Sequence, residues 1–318
     1  MNATMKAIRF HEYGDPEVLR LDDVEVPAPG EGEVRVRVAG TSFNGVDANI
    51  RAGRMQGPMP MDLPHTPGLD LAGTVDSVGS GVTGVEVGDQ VIGFLPFGAD
   101  GAAAEYVLAD ATSLAPAPTT IPLSDAAALP LVGLTAWQAL FEHADLRAKQ
   151  RILVNGASGA VGGYAVQLAK AAGAHVIATA SPRTRGQVEK QGADEVVDHS
   201  VGEVADAITE PVDVLLNVAP ISPEQFDTLL GVVRDGGVIV NTTVWMPAPS
   251  DEVRGVRGID LFVRSDATEL TELAARVDRG ELTVDIGERV LLSDLTSVHR
   301  RAADGVLAGK VVVLPTVE

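Results

Sequence analysis

At 318 residues, 45% hydrophobic and only 4% aromatic, the chain can bury a large aliphatic core, and its length suggests two domains. A formal net charge of −20 argues against nucleic acid as main partner, since a phosphate backbone calls for a basic surface, and the absence of cysteine removes disulfides, thiolate nucleophiles and Cys-ligated zinc or iron–sulfur sites. No apolar run is long enough to span a bilayer and the opening MNATMKAIRF has no signal-peptide apolar core, so a soluble cytoplasmic protein without a membrane partner is expected.

Short alternating segments open the chain: Met5 to Phe10, Val18 to Val24 and Glu33 to Val38, the last a strict period of two in Val34-Arg35-Val36-Arg37-Val38. Strand follows strand without a long helix, which predicts an antiparallel β-rich domain. A short polar helix follows within 40–51, then valines and glycines alternate from Pro67 to Val91 as in tightly turned strands. Ala102 to Val107 reads as one more strand, and Thr112 to Pro122 as a proline-rich crossing between domains. Ser124 is expected to cap a helix start, with a second helix over Thr135 to Ala144.

The most informative stretch is Arg151 to Ser181. The apolar run Ile152-Leu153-Val154 ends in a turn of small residues, and Val161, Tyr164, Ala165, Leu168 and Ala169 then share one helical face, which makes Tyr164 a core residue. Gly156, Gly159 and Gly162 give a GxxGxxG spacing, one residue different from GxGxxG. Small residues there let a backbone approach a pyrophosphate, and the N–H groups of the helix start face its charge. The turn Gly156-Ala157-Ser158-Gly159-Ala160-Val161-Gly162, with a second strand at His175 to Ala180, therefore points to a dinucleotide site; a βαβ crossover using glycine only for packing is the competing reading.

An NAD site places an acid about twenty residues beyond the glycines, at the ribose 2′-hydroxyl. Here that position holds Ser181, Arg183 and Arg185, and no carboxylate comes before Glu189. Arginine forks hold a 2′-phosphate that an acid would repel, so NADPH is favoured over NADH. Further on, Asp213 to Asn217, Val238 to Asn241 and Ile259 to Val263 read as strands, and Gln187 to Gln191 and Pro223 to Val233 as helices. That alternation predicts a doubly wound parallel sheet. Two helices, Ala267 to Asp278 and Leu295 to Leu307, and a strand at Lys310 to Leu314 complete the tail, which is expected to return to the first domain. The expected domains are 1–122, 123–263 and 264–318. The six histidines form no HxxxH or HxH pair, and no metal site is expected.

The order of motifs resembles the medium-chain dehydrogenase/reductase superfamily, in its zinc-free quinone oxidoreductase branch: MKAIRFHEYGDPEVL, NGVDANIRAG, PGLDLAGTVDSVGSGVTGVEVGDQVIGF, AEYV, LVGLTAW, the glycine turn with AVQLAKAAGAHVIATAS, GADEVVDH and GKVVVL. The resemblance implies an α/β chain with a Rossmann cofactor domain and a GroES-like β-rich catalytic domain. In zinc members a Cys stands at Asn44 and a His-Glu pair at Leu69-Asp70, so zinc ligands are missing. By resemblance, Asn44, Asp47, Thr135 and the loops Asn217-Val218-Ala219 and Asn241-Thr242-Thr243 should surround the nicotinamide; Asp47 reads equally as a capping or packing acid. His199 replaces a Tyr near the adenosine phosphate, Ala160 replaces the second glycine of a GG pair, and Asn49 replaces a Tyr of the substrate pocket. Phe43 and Trp245 either wall that pocket or pack ordinarily; Tyr106 is read as structural. The implied activity is NADPH-dependent hydride transfer to a quinone or a conjugated enone, by a homodimer. A redox sensor that binds NADPH with little turnover is the alternative.

Overall fold

A computed structural model describes residues 3–57, 60–243 and 245–316, so the ends of the first and third expected domains lie partly outside the described residues. The chain forms two compact units, 1–131 with 265–318, and 132–264.

The first unit begins with an antiparallel ribbon of β1 (Thr4–Phe10) and β2 (Leu19–Glu25). β3 (Glu33–Ser42) buries Val34, Val36 and Val38 on one face, as its alternation dictates. After α1 (Gly45–Arg51) come β4 (Asp70–Val78), β5 (Gln90–Phe94), β6 (Tyr106–Asp110) and β7 (Leu114–Pro116). Half-buried Tyr106 lies 5.5 Å under the Arg35 guanidinium, in keeping with a structural role. The strand expected at Ala102 starts instead at Tyr106, because the Ala102 and Ala103 amides bond the carbonyls of Gly68 and Pro67.

The Leu123–Ala128 segment is a buried 3-10 turn that Ser124 does not cap; a Cβ at Gly40 would lie 2.6 Å from the Ser124 carbonyl oxygen. Asp125 of that turn receives two hydrogen bonds from Arg289, at 2.7 and 2.6 Å, which keeps residues 123–131 in the first unit rather than beyond the crossing expected at Pro122. α2 (Pro130–Trp137) starts five residues before the helix expected at Thr135 and ends in a π-helical turn over Gln138–His143.

In the second unit β8 (Arg151–Asn155), α3 (Ala160–Ala171), β9 (His175–Ala180), α4 (Arg185–Lys190), β10 (Glu195–Asp198), β11 (Val212–Asn217), α5 (Pro223–Leu230), β12 (Val233–Asn241) and β13 (Arg257–Asp260) alternate. The six strands are all parallel in the order β10-β9-β8-β11-β12-β13, which is 3-2-1-4-5-6 by appearance. The order in which strands are added reverses between β8 and β11, where such sheets bind ligands. The outer strand expected at Ile259 to Val263 sits two residues earlier and stops at Asp260; Gly258 within it packs where a Cβ would meet the Pro249 carbonyl oxygen at 2.4 Å.

The tail adds α6 (Ala267–Asp278), β14 (Glu288–Leu291), α7 (Leu295–Ala303) and β15 (Val311–Leu314) to the first unit, whose larger sheet runs β14-β15-β3-β4-β5-β7 with β6 on β3. Asp278 at the end of α6 accepts the Thr119 and Thr120 amides at 2.8 and 2.9 Å, pinning the tail to the proline-rich segment.

Candidate functional site

The glycine turn sits where the strand order reverses. Gly156 has φ +96°, and a Cβ on it would lie 2.9 Å from Val218 and 3.0 Å from the Ala219 amide, so both backbone sign and space demand glycine. A Cβ at Gly162 would fall 2.3 Å from the Gly156 oxygen, which lets the first turn of α3 press on the loop. Gly159, the N-cap of that helix, is exposed and its nearest neighbour would be 3.4 Å away. The arrangement leaves the first N–H groups of a 12-residue helix beside an uncrowded backbone. Ala160 and Val161 are half-buried on that first turn, and Ala157 is fully buried.

Beside this turn lies a cavity of about 460 Å³, lined by Asn155, Gly156, Ser158 and Gly159, by Val218, Ala219, Pro220 and Ile221, and by His199, Glu203 and Val204 among others. The apolar share of the lining, Val204, Val218, Ile221 and Leu229, suits a flat ring, and the glycine edge suits phosphate. A dinucleotide therefore fits these residues: conformation, space and helix start all favour a phosphate-bearing group close to Gly156–Gly159.

The side chains of Asn217 and Asn241, expected at the nicotinamide, are engaged with one another. Asn217 is the last residue of β11, in register with Asn155 and Asn241, and Asn241 is in register with Asp260. Register stacks these side chains edge to edge. The Gly156 amide donates to Thr179 Oγ1 at 2.8 Å, and Thr179 Oγ1 to Asn155 Oδ1 at 3.1 Å. Asn155 Nδ2 donates to Asn217 Oδ1 at 2.9 Å, Asn217 Nδ2 to Asn241 Oδ1 at 3.0 Å, and Asn241 Nδ2 to Asp260 Oδ1 at 2.9 Å. Asn217 Nδ2 also donates to the Ala219 carbonyl and Asn241 Nδ2 to those of Thr243 and Met246, so both amide nitrogens are fully engaged. What remains for a ligand in these loops is the half-buried Val218, Ala219, Thr242 and Thr243.

At the expected adenosine end the two arginines differ. Arg185 is engaged, with Nη1 3.2 Å from Glu189 and Nη2 donating to the Val196 carbonyl at 3.1 Å. Arg183 is exposed, and among the described residues it has no ion-pair partner. Ser181 Oγ is 3.1 Å from Thr184 Oγ1, fixing the bend after β9. His199 is exposed and reaches the cavity lining, whereas neither arginine does.

In the first unit two of the expected catalytic residues, Asn44 and Asp47, meet a buried ionic centre that sequence reasoning did not assemble. Asn44 caps α1; its Nδ2 donates to Asp70 Oδ2 at 2.8 Å and its Oδ1 accepts from Lys310 Nζ at 2.5 Å. Asp70 is wholly buried and also accepts from the Leu131 amide at 2.7 Å, from Lys310 at 3.3 Å and from Ser42 Oγ. Lys310 is only 5% exposed, and burial pulls its ammonium below the usual lysine range against the pull of Asp70 and Asp47. Asp47 completes the capping box, accepting the Asn44 amide at 2.8 Å and the Gly68 amide at 3.2 Å; burial pushes its carboxyl up to about 7. The capping reading of Asp47 thus has its geometry, and Asn44 is held by Asp70 and Lys310 rather than offered to a ligand. The only signal was GKVVVL, where Lys310 reads as a strand start.

Thr135 is buried within α2. Phe43 packs edge-on against His299, centroids 4.8 Å apart, and Trp245 is exposed; neither is among the residues lining the cavity beside the glycine turn. Asn49 accepts a hydrogen bond from Arg54 at 3.0 Å. Tyr164 is buried in α3, as its helical face requires. Among the described residues no three His, Asp or Glu side chains are grouped as metal ligands, and no helix is long and apolar enough to cross a membrane.

Two family models match the chain: the alcohol dehydrogenase GroES-like domain over residues 30–119, and the zinc-binding dehydrogenase domain over 191–313. The chloroplast envelope quinone oxidoreductase homolog of Arabidopsis thaliana is 33% identical over 98% of each chain. The structure of the quinone oxidoreductase from Coxiella burnetii matches with TM-score 0.90 at 28% identity, covering 99% of this chain and all of that one. The CurK enoyl reductase matches with TM-score 0.86 at 25% identity, over 98% and 99% of the two chains. Strand order, glycine turn and these likenesses agree: the chain belongs to the quinone oxidoreductase family of oxidoreductases, within the medium-chain dehydrogenase/reductase superfamily.

Proposed function

We propose that the protein is a metal-independent reductase that uses NADPH to reduce a quinone. The observation that carries the reading is the glycine turn, where positive φ at Gly156 and open space at Gly159 meet the start of α3 at the mouth of the 460 Å³ cavity. When bound, a reduced nicotinamide supplies the hydride. The chain's own contribution is to bind, orient and exclude water. Gly156 to Gly162 would hold the pyrophosphate, with the N–H groups of Ala160, Val161 and Gly162 at the start of α3 donating to it, since those of Gly156 and Gly159 already donate to Thr179 Oγ1 and the Gly156 oxygen. Val218, Ala219, Thr242, Thr243 and Thr135 would border the nicotinamide. Asn44 and Asp47, engaged with Asp70, Lys310 and the backbone, would serve by fixing α1.

Arg183, with Ser181 and His199, would hold the adenosine 2′-phosphate; Arg185 would contribute only its charge. Glu203 in the cavity lining works against a phosphate there, so the preference for NADPH rests on Arg183 reaching it. No residue is assigned as proton donor: both oxygens of a reduced quinone can take protons from water. A conjugated enone is the second acceptor class, favoured by the likeness to an enoyl reductase. The relatives' names favour an enzyme over a sensor with little turnover.

We include a homodimer in the proposal. β13 is the outer strand of its sheet, and Phe262 just beyond it is 57% exposed; sedimentation giving twice the chain mass supports it, and a monomer ends it. Anaerobic turnover with NADPH against a quinone panel and an enone panel tests the activity. Consumption with quinones is the expected result, and inactivity on both panels would overturn the proposal.

A further inference from the structure

The hydrogen-bond chain along the strand ends has a direction. At one end stands a group that can only donate, the Gly156 N–H; at the other stands one that, ionised, can only accept, the Asp260 carboxylate. Between them Thr179, Asn155, Asn217 and Asn241 each accept on one side and donate on the other. A flip of any one amide would set oxygen against oxygen on one side and N–H against N–H on the other. Asp260 closes the accepting end of the chain: together with the Thr243 amide, which donates to Asn241 Oδ1 at 3.2 Å, it orients Asn241, and that orientation passes from amide to amide as far as the glycine turn. The four inner side chains are all buried, where an unmet donor or acceptor is costly. The same amides hold the cavity's loops by the bonds from Asn217 to the Ala219 carbonyl and from Asn241 to that of Met246.

We propose that Asp260, on the outer strand and absent from the cavity lining, is a positioning residue for the dinucleotide site, acting through Asn241, Asn217, Asn155 and Thr179 on the Gly156 amide. The proposal rests on the reading of that cavity as the NADPH site. It makes the outer edge of the sheet a place where cofactor affinity is set without any contact to the cofactor.

Calorimetry and amide exchange on the full chain test it. Asp260→Ala leaves the Asn241 and Ala248 donors without their shared acceptor, Oδ1. NADPH should bind about fivefold more weakly, the worth of one hydrogen bond, and the Gly156 amide should exchange about fivefold faster without cofactor. Asp260→Asn keeps an oxygen in the same place and should restore both. Thr179→Val cuts the chain beside the turn, and adding Asp260→Ala to it should weaken binding no further. Wild-type affinity in Asp260→Ala, or effects of the two substitutions that multiply, would overturn the inference. Should the wild-type chain bind no NADPH, the reading of the cavity fails instead, and the exchange of Gly156 still decides whether Asp260 acts on the turn.

Discussion

The two units solve the burial of polar groups in opposite ways. In the first, Asp70 and Lys310 put full charges in the core, closed off by Asn44, Ser42 and the Leu131 amide. In the second, a threonine hydroxyl and three neutral amides run across four strands, and only the last link, on a fifth, is a carboxylate. A buried ion pair tolerates no missing partner, because the remaining charge is left in a medium that cannot solvate it. A chain of amides carries no such charge, and one of its ends opens on a cavity. The contrast assigns the ionic centre to holding a fold and the amide chain to shaping a site.

The sharpest way to break that contrast is Lys310→Met. It leaves Asp70 buried beside an unanswered Asn44 oxygen, and urea denaturation should show a loss of about 3–5 kcal/mol; a loss below about 1 kcal/mol would put the two networks on the same footing. Asn241→Leu, which strands the Asn217 donor and the Met246 carbonyl, should cost less, about 2–3 kcal/mol in the same measurement.

The ionic side can be sharpened with pH. His299 is buried against Phe43, with Arg51 nearby, and burial drives its imidazole down to about 3 from 6.5. The unfolded chain therefore takes up a proton below about pH 6.5 that the folded chain refuses until about pH 3, so this residue costs stability as pH falls through that window. At pH 5 His299→Leu should have gained about 2 kcal/mol on the wild type compared with pH 7.5, read from urea midpoints. Asp47 works the other way, since a carboxyl held protonated up to about 7 loses stability as pH rises from its ordinary range to 7; Asp47→Asn should remove that opposing slope. On the cavity side the expected effect is smallest: Arg183→Ala should weaken NADPH by about tenfold, or 1.4 kcal/mol, and leave NADH unchanged in fluorescence titration.

The glycine turn was legible because its requirement is local: only glycine meets a φ of +96° with Val218 packed above it. The parallel sheet was legible from short apolar runs in alternation with amphipathic helices. The amide chain was not, because Asn155 and Asn217 stand 62 residues apart and Asn217 and Asn241 stand 24 apart; only parallel register makes them neighbours. Read singly, an Asn at a strand end looks like a ligand contact. Lys310 was hidden in the same way, 240 residues from Asp70. Boundaries failed where packing overrode local pattern, as at the buried turn 123–128, where Arg289 claims Asp125 from far along the chain.

Calorimetric titration of the wild-type chain with NADPH and then NADH goes to the centre of the account. It predicts one NADPH per chain, bound about tenfold or more tightly than NADH. Equal affinity for the two would contradict the cofactor assignment, and no heat with either would contradict the site itself.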